Sequence, residues 1–169
     1  MKQLQIPAII LFVLIAIASC KKERRAGESN HASVISSNTI VLNNWLALYN
    51  DGTEFSYSST IAWSSITQEI RDSGLLIIYV HDSASSDWYA LPHCYVGDEY
   101  SRAFDFDFNT GVVNVTCRGH DIAGSPGGDA LNGSLTVRLV AVPAAVRVAN
   151  PDIDWTNYES VRKTFGLAK

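Results

Sequence analysis

The sequence predicts a mostly β protein: an antiparallel β-sandwich, immunoglobulin-like or jelly-roll-like, with a short internal helix and a C-terminal helix. Three observations carry this. Apolar runs are short and rich in Val, Ile, Leu, Phe and Tyr, and Gly, Asn, Asp and Ser interrupt them at close spacing. One segment, Phe104 to Phe108, alternates apolar and acidic residues, the period of a strand with one face in water.

The elements follow in chain order. Lys2 opens a short positive region, and Ile9 to Ile17 form an uncharged apolar run bounded by small residues, so residues 1–19 read as a secretory signal peptide. The run falls short of the roughly 20 apolar residues that span a bilayer. Ile17-Ala18-Ser19-Cys20 places a thiol after two small residues and resembles the bacterial lipobox, with Ile17 where leucine is commonest. That resemblance implies that Cys20 is lipidated and becomes the mature N-terminus. Each buried methylene contributes about 0.8 kcal/mol, so several acyl chains would hold a folded domain on the membrane. Lipoprotein sorting places aspartate after the cysteine for inner-membrane retention, whereas this chain has Lys21, so the outer membrane is expected. The basic tract Lys21-Lys22-Glu23-Arg24-Arg25 favours the periplasmic face, with the cell surface as the alternative, and suits anionic headgroups. Residues 20–38 read as the lipidated cysteine and a flexible tether, and 39–169 as one domain.

From residue 38 onward 8 basic residues stand against 15 acidic ones, a net of −7. Such a domain is repelled by phosphate backbones, which argues against nucleic acid as a partner. With Cys20 lipidated, Cys94 and Cys117 remain, an even pair in an oxidising compartment, and a disulfide between them is expected. Closing that loop would contribute about 3.4 kcal/mol on the chain-entropy model.

Within the domain, strands are expected at Ile40 to Leu48, Gly74 to His81, Trp88 to Leu91, Arg102 to Phe108, Val112 to Arg118 and Ser134 to Val142. Around Asn109-Thr110-Gly111 parity sets the hairpin. A two- or four-residue loop pairs Phe108 with Val113, Phe106 with Val115 and Phe104 with Cys117, keeping each face consistent and Cys117 buried. A helix is expected around Ile66 to Asp72, introduced by Ser64 or Ser65 and closed near Gly74. A second follows Thr156, with Glu159 completing a capping box, Tyr158, Val161 and Phe165 on one face, and Gly166 as the stop. Its apolar face is expected to cover an open end or edge of the sandwich.

The order Trp63, Ile66-Thr67-Gln68, Gly74 with Leu75 to Tyr79, Trp88 with Leu91-Pro92, a hairpin, Leu135 to Val142 ending at Pro143, and Asp154 to Gly166 with Asn157-Tyr158 resembles uncharacterised Bacteroidetes lipoproteins. The likeness covers most of residues 40–166. It implies a β-sandwich on a lipid anchor and carries no catalytic residues across.

Several constellations bear on chemistry. His93-Cys94 with Cys117-Arg118-Gly119-His120 has the residue types of a copper site, with His81 or His93 as a further ligand. Yet the mature chain lacks methionine, neighbours on a strand point to opposite faces, and a disulfide would consume both thiolates, so no metal is expected. Asp105, Asp107 and Asn109 have the alternate spacing of a calcium loop, but Gly111 stands one place late and Thr116 where the bidentate glutamate belongs; they read as a solvated sheet face. No Gly-x-Ser-x-Gly elbow occurs, and Gly124-Ser125-Pro126-Gly127-Gly128 precedes neither a Gly-Lys-Ser/Thr step nor a helix, so it reads as a loop. Paired carboxylates for glycoside hydrolysis need a separation that sequence does not supply. Asp82-Ser83-Ala84 resembles the acceptor of Bacteroidetes O-glycosylation. Among the aromatics, Trp88 and Tyr89 follow a polar loop and are the candidates for ligand contact, with Asp105 and Asp107 as the acidic alternative. The expected function is a non-enzymatic binding or interaction module without cofactor, taking a protein or glycan ligand. The alternative is a structural envelope component that assembles with another protein.

Overall fold

A computed structural model describes residues 35–82, 85–98, 100–121 and 134–167. The signal peptide, Cys20, the tether up to residue 34, the 124–128 loop and Ser83-Ala84 lie outside the described residues; residues 36–38, expected as the end of the tether, belong to the first strand.

The fold is a β-sandwich of two antiparallel sheets. In chain order the elements are β1 (Ser36–Leu42), β2 (Leu46–Asn50), β3 (Glu54–Ala62), α1 (Gln68–Asp72), β4 (Leu75–His81), β5 (Trp88–Ala90), β6 (His93–Val96), β7 (Tyr100–Asn109), β8 (Val112–Asp121), β9 (Leu135–Val142), α2 (Ala144–Ala149) and α3 (Tyr158–Phe165). One sheet has the order β1-β9-β4-β5, the other β2-β3-β8-β7-β6. The single strand expected over Ile40 to Leu48 is two strands in different sheets, broken at Asn43 to Trp45, where the chain crosses the sandwich.

Between the sheets lies a core that includes Leu42, Phe55, Ile61, Leu76, Ile78, Val80, Phe104, Val113, Val115, Cys117, Val137 and Leu139. The β7–β8 hairpin has the register that parity demands: Phe108 faces Val113, Phe106 faces Val115 and Phe104 faces Cys117. Asn109 pairs with Val112, and Gly111 takes φ +76, a left-handed backbone that a side chain would strain. This tip docks on the chain before α1, with the Trp63 amide donating to Gly111 O at 2.8 Å and the Gly111 amide to Ile66 O at 2.7 Å. Helix α1 starts two residues later than expected because Thr67, not Ser64 or Ser65, accepts the Ile70 amide.

Strands β4 and β9 are buried on both faces, which is why each reads as a nearly continuous apolar run. Their second face, with Ile77, Tyr79, Val140 and Val142, forms another cluster with Val146 of α2 and Tyr158 and Val161 of α3. The C-terminal helix therefore covers the outer face of the four-stranded sheet rather than an end or edge of the sandwich. A face that apolar exposes too much hydrocarbon unless a third layer shields it. Asn157 caps α3 by accepting the Ser160 amide at 3.1 Å, while Thr156 bonds to Asp154 instead, so the cap lies one residue after the expected one. Gly166 closes the helix at φ +64, as its position after Phe165 demands.

The expected disulfide does not form. Cys94 and Cys117 are both free, and Cys94 is exposed whereas Cys117 is buried. Registers explain this: Cys94 faces Ala103, whose partner on β8 is Arg118, while Cys117 faces Phe104, whose partner on β6 is His93. The thiols thus point to opposite faces, and β7 separates their strands. Two strand spacings come to about 9.6 Å, beyond the roughly 7 Å Cα separation a disulfide tolerates.

Candidate binding surface

The outer face of the four-stranded sheet is apolar where α2 and α3 cover it and polar where they stop. Arg138 marks that boundary. It pairs in register with Thr39 on one side and Tyr79 on the other, in a strand whose remaining residues on this face include Val140 and Val142. Its side chain is buried, which for a guanidinium requires partners that replace water. Nε donates to Thr39 Oγ1 at 2.8 Å, and Cζ lies 4.9 Å from the Trp88 ring centre and 5.1 Å from that of Tyr158. Such cation–π contacts contribute about 0.5–2 kcal/mol each, more as water is excluded. Burial lowers the Arg138 pKa, and the charge of Arg162 lowers it further.

The rings that hold Arg138 are themselves locked. Trp88 packs 5.3 Å from Tyr158 and 4.9 Å from His81, its register partner on β4. Tyr158 meets Tyr79 edge-on at 5.1 Å, and Tyr79 Oη donates to the Trp155 carbonyl at 2.6 Å, tying the sheet to the segment before α3. Burial raises the Tyr79 pKa, with the Asp154 charge acting in the same direction.

Two depressions adjoin this cluster. One, of about 410 Å³, is lined by Asp87, Trp88, Asp154, Thr156 and Tyr158, among others; the second, of about 590 Å³, by Thr39, His81, Trp88, Arg138 and Glu159. Trp88, Tyr158, Ser86 and Glu159 border both. Their volumes fall in the range of small-ligand clefts. Two carboxylates of the rim are tied down. Asp154 Oδ1 accepts from the Thr156 amide and hydroxyl, which lowers its pKa, and Glu159 forms a two-pronged ion pair with Arg162 at 2.9 Å. Ser86 holds φ +66, a backbone region uncommon for residues other than glycine, and its amide donates to the Asp82 carbonyl at 2.9 Å. A rim fixed in this way presents a preformed surface.

The four residues expected to contact a ligand do not come together. Trp88 stands at the centre of the site. Tyr89, its neighbour, points into the sandwich, where its ring stacks on His93 at 4.6 Å and meets Tyr95 edge-on, although it also borders the first depression. Asp105 and Asp107 lie on the outer face of the other sheet. Asp105 is paired with Arg118, and Asp107 accepts from Asn114 Nδ2 at 3.0 Å, while Asn114 Oδ1 accepts from the Thr60 hydroxyl at 2.9 Å. Among the described residues, no group of three or more His, Cys, Asp or Glu side chains could hold a metal ion. Arg138 was missed as a site residue. Its signal was a lone charge in the apolar run Leu135 to Val142, a strand buried on both faces.

No family model, no curated protein and no solved structure matches the chain.

Proposed function

We propose that this chain belongs with the Bacteroidetes lipoproteins it resembles. In this reading it is a non-enzymatic binding module, held at the periplasmic face of the outer membrane by a lipid on Cys20, and it contacts a protein or glycan through the surface around Trp88. One observation carries the assignment of that surface: a single half-buried indole borders two adjoining depressions, with a buried guanidinium beneath it. Indoles contribute disproportionately to recognition because they combine large apolar area with few rotatable bonds. The ion pair that holds Glu159 and the Thr156 bonds that hold Asp154 suit a fixed recognition surface better than acid–base chemistry.

The test is capture of ligand from native membranes with the lipidated wild type, Trp88→Ala and Thr156→Arg. The last fills the first depression from its rim without entering the core. The proposal expects a species retained by the wild type and lost with both variants; equal retention by all three contradicts it. A second reading, a structural component that assembles with another protein, is favoured by the β2 edge, which among the described residues pairs on one side only and whose five residues are exposed.

A further inference from the structure

The two depressions beside Trp88 differ in charge. The second takes in Arg138 and His81, whereas Asp87, Asp154 and Glu159 line the first, and no Lys, Arg or His among the described residues joins them. Glu159 is already answered, by its two bonds to Arg162 and by the N-terminal end of α3, in whose first turn it stands. Asp87 and Asp154 are both exposed, and no ion pair among the described residues reaches either. The bonds from Thr156 favour the ionised form of Asp154 and bring no opposite charge to it. A further feature separates these acids from Asp105 and Asp107 on the other sheet. Trp88, Tyr89 and Tyr158 wall the same hollow, so apolar surface and uncompensated charge meet in one place.

We infer, on the reading of the Trp88 surface as the site of contact, that the first depression takes a cationic side chain, arginine or lysine, presented by a partner protein. A neutral ligand that covered Asp87 and Asp154 would strip water from two carboxylates and return only neutral hydrogen bonds. A guanidinium or ammonium returns charge-assisted ones, roughly twice as strong. Its alkyl stem suits the aromatic wall, because such stems lie along apolar surface while the charged head keeps to polar surroundings. Of protein and glycan, only protein carries such cations as a rule; sugars are neutral or, as uronic acids and phosphates, anionic. The net negative charge of the domain adds a long-range term, drawing a basic partner in and repelling an acidic one. Arg138 borders only the second depression, so the guanidinium beneath Trp88 does not neutralise the first.

The test uses the full-length protein in uncharged detergent, labelled with fluorotryptophan, and follows the fluorine resonance of Trp88, identified by its loss in Trp88→Phe. The probes are a capped tri-arginine peptide and its neutral isostere, tri-citrulline, at physiological salt. Tri-arginine is expected to shift the Trp88 resonance saturably and to bind about tenfold more tightly than tri-citrulline. Asp87→Asn combined with Asp154→Asn, which keeps an oxygen for the Thr156 bonds, is expected to remove that preference. Asp105→Asn combined with Asp107→Asn makes the same change of charge on the other sheet and is expected to keep it. All four positions lie on the surface, so a lost fold does not account for the difference. No shift at Trp88 with tri-arginine, equal affinity for the two peptides, or equal loss from the two pairs of variants overturns the inference. A glycan retained from native membranes by the wild type and lost with Trp88→Ala also overturns it, while leaving the surface in place as the site of contact; ligand capture indifferent to Trp88→Ala overturns both.

Discussion

The ring of Phe55 on β3 occupies the space that a side chain at Gly119 on β8 would need. The two are register partners, and a Cβ built on Gly119 would sit 2.2 Å from Phe55 Cζ and 2.7 Å from the backbone carbonyl of Ser101. Covering a strand glycine with a cross-strand aromatic restores the packing that glycine lacks. Gly119→Ala is therefore expected to cost about 1–3 kcal/mol by overpacking, and Phe55→Ala about 3–5 kcal/mol by loss of a buried ring. Removing the ring makes room for the methyl, so the double variant should cost less than the two single costs combined. Urea denaturation of the three variants measures this, and strict additivity would contradict the contact.

The two thiols should differ sharply in reactivity. Cys94 is exposed, whereas burial pushes the Cys117 thiol up to about 12, with Asp105 adding to the shift and Arg102 opposing it. Maleimide, whose double bond the thiolate attacks, is expected to label one site in the folded protein, Cys94, and a second, Cys117, only after unfolding. Failure of both to react in unreduced, unfolded protein would restore the disulfide expected from sequence.

Asp51 makes the β2–β3 turn sensitive to acid. Its carboxylate accepts from Tyr49 Oη at 2.5 Å and from the Thr53 and Glu54 amides at 2.9 and 2.8 Å. These bonds, the tyrosine's foremost, lower its pKa to about 2. The folded pKa lies below the unfolded value of about 3.9, so the carboxylate's contribution is complete above roughly pH 4 and is lost as pH falls through the folded value. NMR titration of the Asp51 carboxyl is expected to give a midpoint near 2 that Tyr49→Phe moves upward. A midpoint at the ordinary carboxylate value, unmoved by Tyr49→Phe, would show that the turn lacks these bonds.

Legibility in the sequence followed the physics of each segment. The register of the β7–β8 hairpin was readable because Phe104, Phe106 and Phe108 alternate with Asp105 and Asp107, and a slip by one would bury the acids, although both strands run two to three residues further than expected at their far ends. Strand β3 was missed: Glu54 to Ala62 is rich in serine, and Ser59 occupies a core-facing position, so the alternation that marks a half-buried strand is blurred. β6 was missed because four residues, His93 to Val96, are too few to show a period. α2 was not foreseen, because the six residues Ala144 to Ala149 after Pro143 are too few to show a helical period. The disulfide expectation rested on cysteine count and compartment; which face each thiol takes depends on the register of β6, and β6 was not foreseen. Trp88 stood out beside its polar loop, but the site around it draws on β4, β5, β9 and α3, and no local pattern announces that Arg138 and Tyr158 meet there.

The most direct test of the binding surface is site-specific photo-crosslinking in native membranes, with the photoreactive residue at Thr156, on the rim beside Trp88, or at Thr60, exposed on the outer face of the other sheet. The account expects a discrete adduct from position 156 that Trp88→Ala removes, and none from position 60. Adducts of equal yield from both positions, or an adduct at 156 indifferent to Trp88→Ala, would contradict the assignment of this surface as the site of contact.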